Sequence, residues 1–181
     1  MKCLHIITPV KDSIDSTLET VKAIMESDIL VPFTYTVYND FSTEENTHRL
    51  EEAARQWNFR LVNLSDLTDH PSPNYLLVLQ TAQKEAIEAD AGLLIVESDV
   101  IVKKNTLQSL YNGALQQKQC GIAAAVTTDE KGIINYPYLH AKGHENQVYP
   151  EKKHCSFCCS LLTPGPVSYT HLRAHETSQD L

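Results

Sequence analysis

The sequence predicts an α/β protein of three layers, α/β/α, with helices on both faces of a mostly parallel sheet. Three observations predict it. Strand-length apolar stretches alternate with segments of helical periodicity from Cys3 to Val126. The run beginning Gly92-Leu93-Leu94-Ile95-Val96 is continuously apolar and β-branched, as in a strand buried on both faces. Polar motifs follow the first, second and fourth apolar stretches, where an open α/β sheet binds ligands at the carboxyl ends of its strands.

The elements follow in order. Residues 3–8 predict a first strand running to Pro9. Residues 12–27 predict a helix, with Ile14, Leu18, Val21, Ile24 and Met25 on one face. Ser16 and Glu19 have capping-box spacing near its start, and Asp12 and Ser13 are alternative caps. Residues 33–38 are aromatic and β-branched, a second strand. Ser42 and Glu45 repeat the capping-box spacing before a helix that runs to Trp57, with Leu50, Ala53 and Ala54 on one side. A short strand over 59–64 precedes a loop over 66–74 containing Pro71 and Pro73. A helix over 75–88 carries Leu76, Leu79, Ala82, Ala86 and Ile87. After the fourth strand, Asn105 caps a helix through Leu107, Leu110, Tyr111, Ala114 and Leu115, and residues 121–126 form a further small apolar strand.

Composition narrows the function. With 181 residues the chain is long enough for one sizeable core. A net charge of -8 and the lack of a basic cluster argue against nucleic acid as a partner. No segment is a membrane-spanning or signal-peptide apolar run. Five cysteines (Cys3, Cys120, Cys155, Cys158 and Cys159) form no regular framework and fit a reducing compartment. The expected location is cytoplasmic, with the inner face of a membrane reached only through a further portion or a partner.

Thr8-Pro9-Val10, Asn39-Asp40 and Glu97-Ser98-Asp99 should share one sheet edge. Asp40 can accept a hydrogen bond from a base N–H or a ribose hydroxyl. Glu97 and Asp99, two acids around a small residue, can hold a divalent cation through oxygen, and the cation a diphosphate. These residues carry a resemblance. Ile7-Thr8-Pro9-Val10, Asn39-Asp40-Phe41-Ser42-Thr43-Glu44 and Glu97-Ser98-Asp99 resemble, in order and spacing, the nucleotide-sugar-binding half of a family-2 glycosyltransferase of the GT-A fold. The resemblance covers about residues 2–164. It implies a nucleotide site at Thr8, Pro9, Val10, Asn39, Asp40 and Ser98, and an Asp-x-Asp-like metal site at Asp99 and Glu97 for Mg²⁺ or Mn²⁺.

The resemblance further implies a nucleoside diphosphate sugar as donor, a glycan or other hydroxyl acceptor, and inversion at the anomeric carbon. The general base is expected in an acceptor part beyond this chain; none of Asp129, Glu130, Glu145, Glu151, Glu176 and Asp180 has a matching context. Two departures stand out: Glu97 where Asp is usual, and Phe41 where Gly is frequent, a residue poorly suited to positive φ. With the acceptor part missing, apolar surface at 157–162 is expected to lie uncovered.

Alternative readings are a non-catalytic nucleotide binder and a receiver- or flavodoxin-like module. The latter is disfavoured because the first strand lacks a receiver's acidic pair and a flavin phosphate loop. His154, Cys155, Cys158 and Cys159, with His140 and His144 before them, could bind zinc, but the segment also reads as an apolar strand. Residues 165–181 read as a tail: the stretch 167–177 resembles translated adapter read-through, which would make the helical spacing of His171 and His175 accidental.

Overall fold

The computed structural model describes residues 1–117, 119–144, 147–150 and 155–165. Among them, six strands form one sheet: β1 (Leu4–Val10), β2 (Phe33–Asn39), β3 (Arg60–Asn63), β4 (Gly92–Val96), β5 (Ile122–Ala124) and β6 (Cys159–Leu162). Four α-helices connect them: α1 (Ile14–Met25), α2 (Glu44–Trp57), α3 (Tyr75–Glu88) and α4 (Thr106–Gln116). The spatial order is β3-β2-β1-β4-β6-β5. The β1–β2, β1–β4 and β2–β3 pairings are parallel, and both pairings of β6 are antiparallel.

The side-chain period of two along each strand sorts the core into two layers. Leu4, Ile6, Leu94 and Val96 join Val21 and Ile24 of α1, Leu50 of α2 and Leu107 of α4 on one face. Ile7, Leu93 and Ile95 join Val78, Leu79, Ala82 and Ala86 of α3 on the other. Thus α1, α2 and α4 cover one face and α3 covers the opposite one. All five residues of β4 are buried, which is why that strand lacks a polar alternation. Full burial of each large aliphatic side chain contributes about 1.5–3 kcal/mol.

The chain winds outward from β1 through β2 to β3, then returns through α3 to β4 on the other side of β1. That reversal makes the carboxyl ends of β1 and β4 a topological switch point, where loops diverge and leave a crevice.

Several local expectations shift. Ser13 holds the N-cap position of helix α1 without a side-chain cap bond, and no Ser16–Glu19 box forms; the Ser16 hydroxyl donates back to the Ser13 carbonyl at 3.1 Å. Helix α2 is capped by Thr43, whose Oγ1 accepts from the Asn46 N–H, because the Ser42 hydroxyl accepts from the Asp12 N–H at 2.9 Å. Asn105 precedes α4 without a side-chain cap bond. The expected exposed patch at 157–162 is corrected for its strand part. Cys159, Ser160, Leu161 and Leu162 are all buried, because β6 inserts between β4 and β5 and pairs with both. His154 and residues 166–181, with His171 and His175, lie outside the described residues, as do Glu145, Glu151, Glu176 and Asp180.

Candidate functional site

A cleft of about 420 Å³ opens at the carboxyl edge of the sheet. Pro9, Val10, Lys11 and Ser13 line it from the end of β1, Asp40 from the end of β2, and Glu97, Ser98 and Asp99 from the end of β4. Ser72 and Pro73 close it from the approach to α3, and Tyr75 and Val78 from the first turn of α3. Four chain segments that the sequence separates widely therefore meet at one place.

The acidic turn is built by the strand end. The Glu97 N–H donates to the Cys158 carbonyl at 2.9 Å, extending the β4–β6 register by one residue. The Val100 N–H donates to the Glu97 carbonyl at 3.1 Å and closes a tight turn with Ser98 and Asp99 at its corners. Helix α1 ties the turn down: the buried Thr20 hydroxyl donates to the Ser98 carbonyl at 3.1 Å. Asp99 is exposed to the cleft and Glu97 is half-buried. Burial pushes the Glu97 carboxyl above its usual range; the neighbouring Cys158 thiol opposes that shift, and the Asp99 charge adds to it.

Two carboxylates two residues apart on one turn repel each other, and a divalent cation between them would relieve the repulsion. Their hard oxygen donors suit Mg²⁺ or Mn²⁺. No set of three or more His, Cys, Asp or Glu side chains converges as a metal site among the described residues. Cys159 is buried in β6 and the Cys158 thiol lies against Glu97 and, at 3.0 Å, the Ser156 hydroxyl.

Asp40 is only 8% exposed. Its Oδ2 accepts from the Ser72 hydroxyl at 2.7 Å and the Asn74 N–H at 2.8 Å, and its Oδ1 accepts from the Asn74 amide at 2.8 Å. Its own N–H donates to the Val10 carbonyl at 2.8 Å. Asp40 therefore stitches the ends of β1 and β2 to the turn that starts α3. A carboxylate has about four acceptor positions, so one remains for a ligand.

Two other sequence candidates do not reach the cleft. The Thr8 side chain is fully buried and its Oγ1 accepts from the Tyr35 hydroxyl at 3.0 Å. The Asn39 amide donates to Thr47 Oγ1 and Asn63 Oδ1, both at 2.9 Å, and its Oδ1 accepts from the Ser42 N–H. Both side chains hold the strand ends in place. Phe41 adopts the left-handed conformation (φ 57°) despite its side chain, and its ring packs on the α3-side core. The expectation that Phe would resist this backbone is corrected: packing offsets a cost of roughly 1–2 kcal/mol.

Sequence reasoning missed four participants. Lys11 places an exposed cation at the cleft. Asp12, considered only as an α1 cap, accepts from the Thr43 N–H at 2.7 Å, which lowers its carboxyl below the usual range and couples the β1 loop to the start of α2. Tyr75 and the Ser72–Asn74 turn enter from a segment that reads only as loop and helix. No short-range signal marks any of these contacts.

Against known proteins, no family model and no curated protein matches the chain. Solved structures do. S. aureus TarS 1-349 in complex with UDP is 20% identical, with a TM-score of 0.57 over 77% of this chain and 40% of that one. The mannosyltransferase PcManGT from Pyrobaculum calidifontis, in complex with GDP-Man and Mn²⁺, is 18% identical, with a TM-score of 0.55 over 69% and 35%. Glucosyl-3-phosphoglycerate synthase from Mycobacterium tuberculosis, in complex with Mn²⁺, UDP and glucosyl-3-phosphoglycerate, is 14% identical, with a TM-score of 0.54 over 91% and 57%. The fold is thus the GT-A type, the α/β architecture of nucleotide-sugar glycosyltransferases. The chain spans less than two thirds of the length of each of these proteins.

Proposed function

We propose that the cleft binds a nucleoside diphosphate sugar together with Mg²⁺ or Mn²⁺, and that the chain is the donor-binding half of a family-2 glycosyltransferase. One observation carries this reading: the ends of β1, β2 and β4, independently singled out in the sequence, line a single cleft at the switch point of the sheet. The solved structures of the same fold that hold UDP or GDP-Man with Mn²⁺ support it.

In this reading the backbone of Pro9 and Val10 and the free acceptor position of Asp40 orient the nucleoside. Asp99 and Glu97 hold the cation, and the Ser98 turn carries both at a fixed separation. The cation, when bound, supplies Lewis-acid stabilisation of charge on the departing diphosphate. Lys11 at the cleft adds a cationic side chain that favours a phosphorylated ligand. The reaction is transfer of the sugar to an acceptor hydroxyl, with inversion, by a base outside the described residues. Asp129, the first acid after Val126, has its Oδ1 engaged by the Lys131 and Ile133 N–H groups of a tight loop and does not line the cleft. A cytoplasmic setting follows from the odd, irregular set of five cysteines.

Calorimetric titration with UDP and GDP, with and without Mn²⁺, tests the reading. Metal-dependent binding of either nucleotide is expected. No binding of either would leave a receiver- or flavodoxin-like role as the better account, and product formed from a donor sugar would show that the chain alone turns over.

A further inference from the structure

Tyr75 is the first residue of α3 and lines the cleft. Its ring packs on the core between α3 and the sheet, while its hydroxyl is shut away from solvent with no hydrogen-bond partner among the described residues. A buried tyrosine normally finds a partner for its O–H, and a hydroxyl left without one destabilises the fold. The position is not loosely held. Asn74, directly before it, is fixed by Asp40 through both its backbone N–H and its side-chain amide.

Glu97 lines the same cleft as Tyr75, and its charge bears on this hydroxyl. Glu97 is half-buried, and the side chain that acts on it from just before β6 is the Cys158 thiol, a weak donor. A carboxylate short of donors and a hydroxyl short of an acceptor thus border the same cleft. Carboxylates that bind metal are themselves oriented by hydrogen bonds from surrounding groups.

We infer that Tyr75 is a positioning residue for Glu97: when a divalent cation engages Glu97, the Tyr75 hydroxyl would donate to its carboxylate and fix its direction. The inference rests on the assignment of Glu97 and Asp99 as cation-binding residues.

The experiment uses the full chain and follows Mn²⁺ binding in the presence of UDP by electron paramagnetic resonance. Tyr75→Phe removes one oxygen and keeps the ring. It should weaken Mn²⁺ about tenfold, whereas in a Glu97→Ala background the same change should leave Mn²⁺ binding unaltered. Without metal or nucleotide, Tyr75→Phe should raise Tm by about 2–4 °C, because an unsatisfied hydroxyl is gone. A Tyr75→Phe chain that binds Mn²⁺ like the wild type overturns the inference. So does an equal loss in both backgrounds, or a fall in the metal-free Tm. Failure of the wild type itself to take up Mn²⁺ with UDP would instead remove the cation assignment and the role of Tyr75 with it.

Discussion

Asp40→Ala is the most informative single perturbation, because the structure gives this residue two separable duties. Its carboxylate accepts three hydrogen bonds of 2.7–2.8 Å, from the Ser72 hydroxyl and from the N–H and side-chain amide of Asn74. Asn74 is only 8% exposed, so its donors cannot all turn to water when the acceptor is removed. A hydrogen bond to a charged group contributes about 1.5–3 kcal/mol, and a buried donor left unpaired costs about 1–3 kcal/mol. These effects overlap, since the three bonds share one carboxylate. We expect a net loss of about 3–5 kcal/mol, or a fall in Tm of roughly 6–20 °C for a chain of this size. Ser72→Ala, which removes one of the three donors, should cost about 1 kcal/mol.

Urea unfolding followed by circular dichroism measures both variants, with an unchanged m-value showing that the change lies in stability and not in the unfolded ensemble. Nucleotide titration, run well below the lowered Tm, then measures the second duty: Asp40→Ala should weaken UDP binding even without Mn²⁺. A loss of stability below about 1 kcal/mol for Asp40→Ala would refute the reasoning, since it would mean that the turn before α3 does not depend on this carboxylate.

Asp99→Ala should weaken Mn²⁺-dependent nucleotide binding more than Glu97→Ala does, because Asp99 is exposed to the cleft while Glu97 is half-buried against Cys158; calorimetry with UDP or GDP decides it. Burial holds the His5 imidazole below its usual 6.5, despite the nearby Glu85 charge. Below pH 6.5 the unfolded chain therefore takes up a proton that the folded chain declines, so stability should fall as pH drops from 6.5 towards the folded value. His5→Gln should flatten that part of the stability–pH curve, and an unchanged slope would contradict it. Leu161→Ala should cost about 2–5 kcal/mol, as for a fully buried leucine; a loss under 1 kcal/mol in urea unfolding would place β6 outside the core.

Much of the architecture was legible because its signals are local. The 75–88 helix was read with the bounds it has, since its apolar positions recur at helical spacing. Strand β4 is marked by five consecutive apolar residues, as a strand covered on both faces carries. Ends and caps were less legible. Ser42 has the right spacing for a cap, yet Thr43 fills that place because the Ser42 hydroxyl binds the backbone of Asp12 from another loop. Strand β6 lies between β4 and β5, although β5 precedes it in the chain, and that insertion buries residues 159–162.

By itself, the sequence determined the alternation of strands and helices, the two-faced burial of β4, and the presence of acids directly after the second and fourth strands. Each is a property of neighbouring residues, set by side-chain periodicity and polarity. Only the tertiary structure decided which of those acids share a cleft, that Thr8 and Asn39 face inward, and that Asp40 anchors the start of α3. Hydrogen bonds between residues some thirty positions apart form only after the sheet has brought its strand ends together, so no stretch of chain read alone contains them.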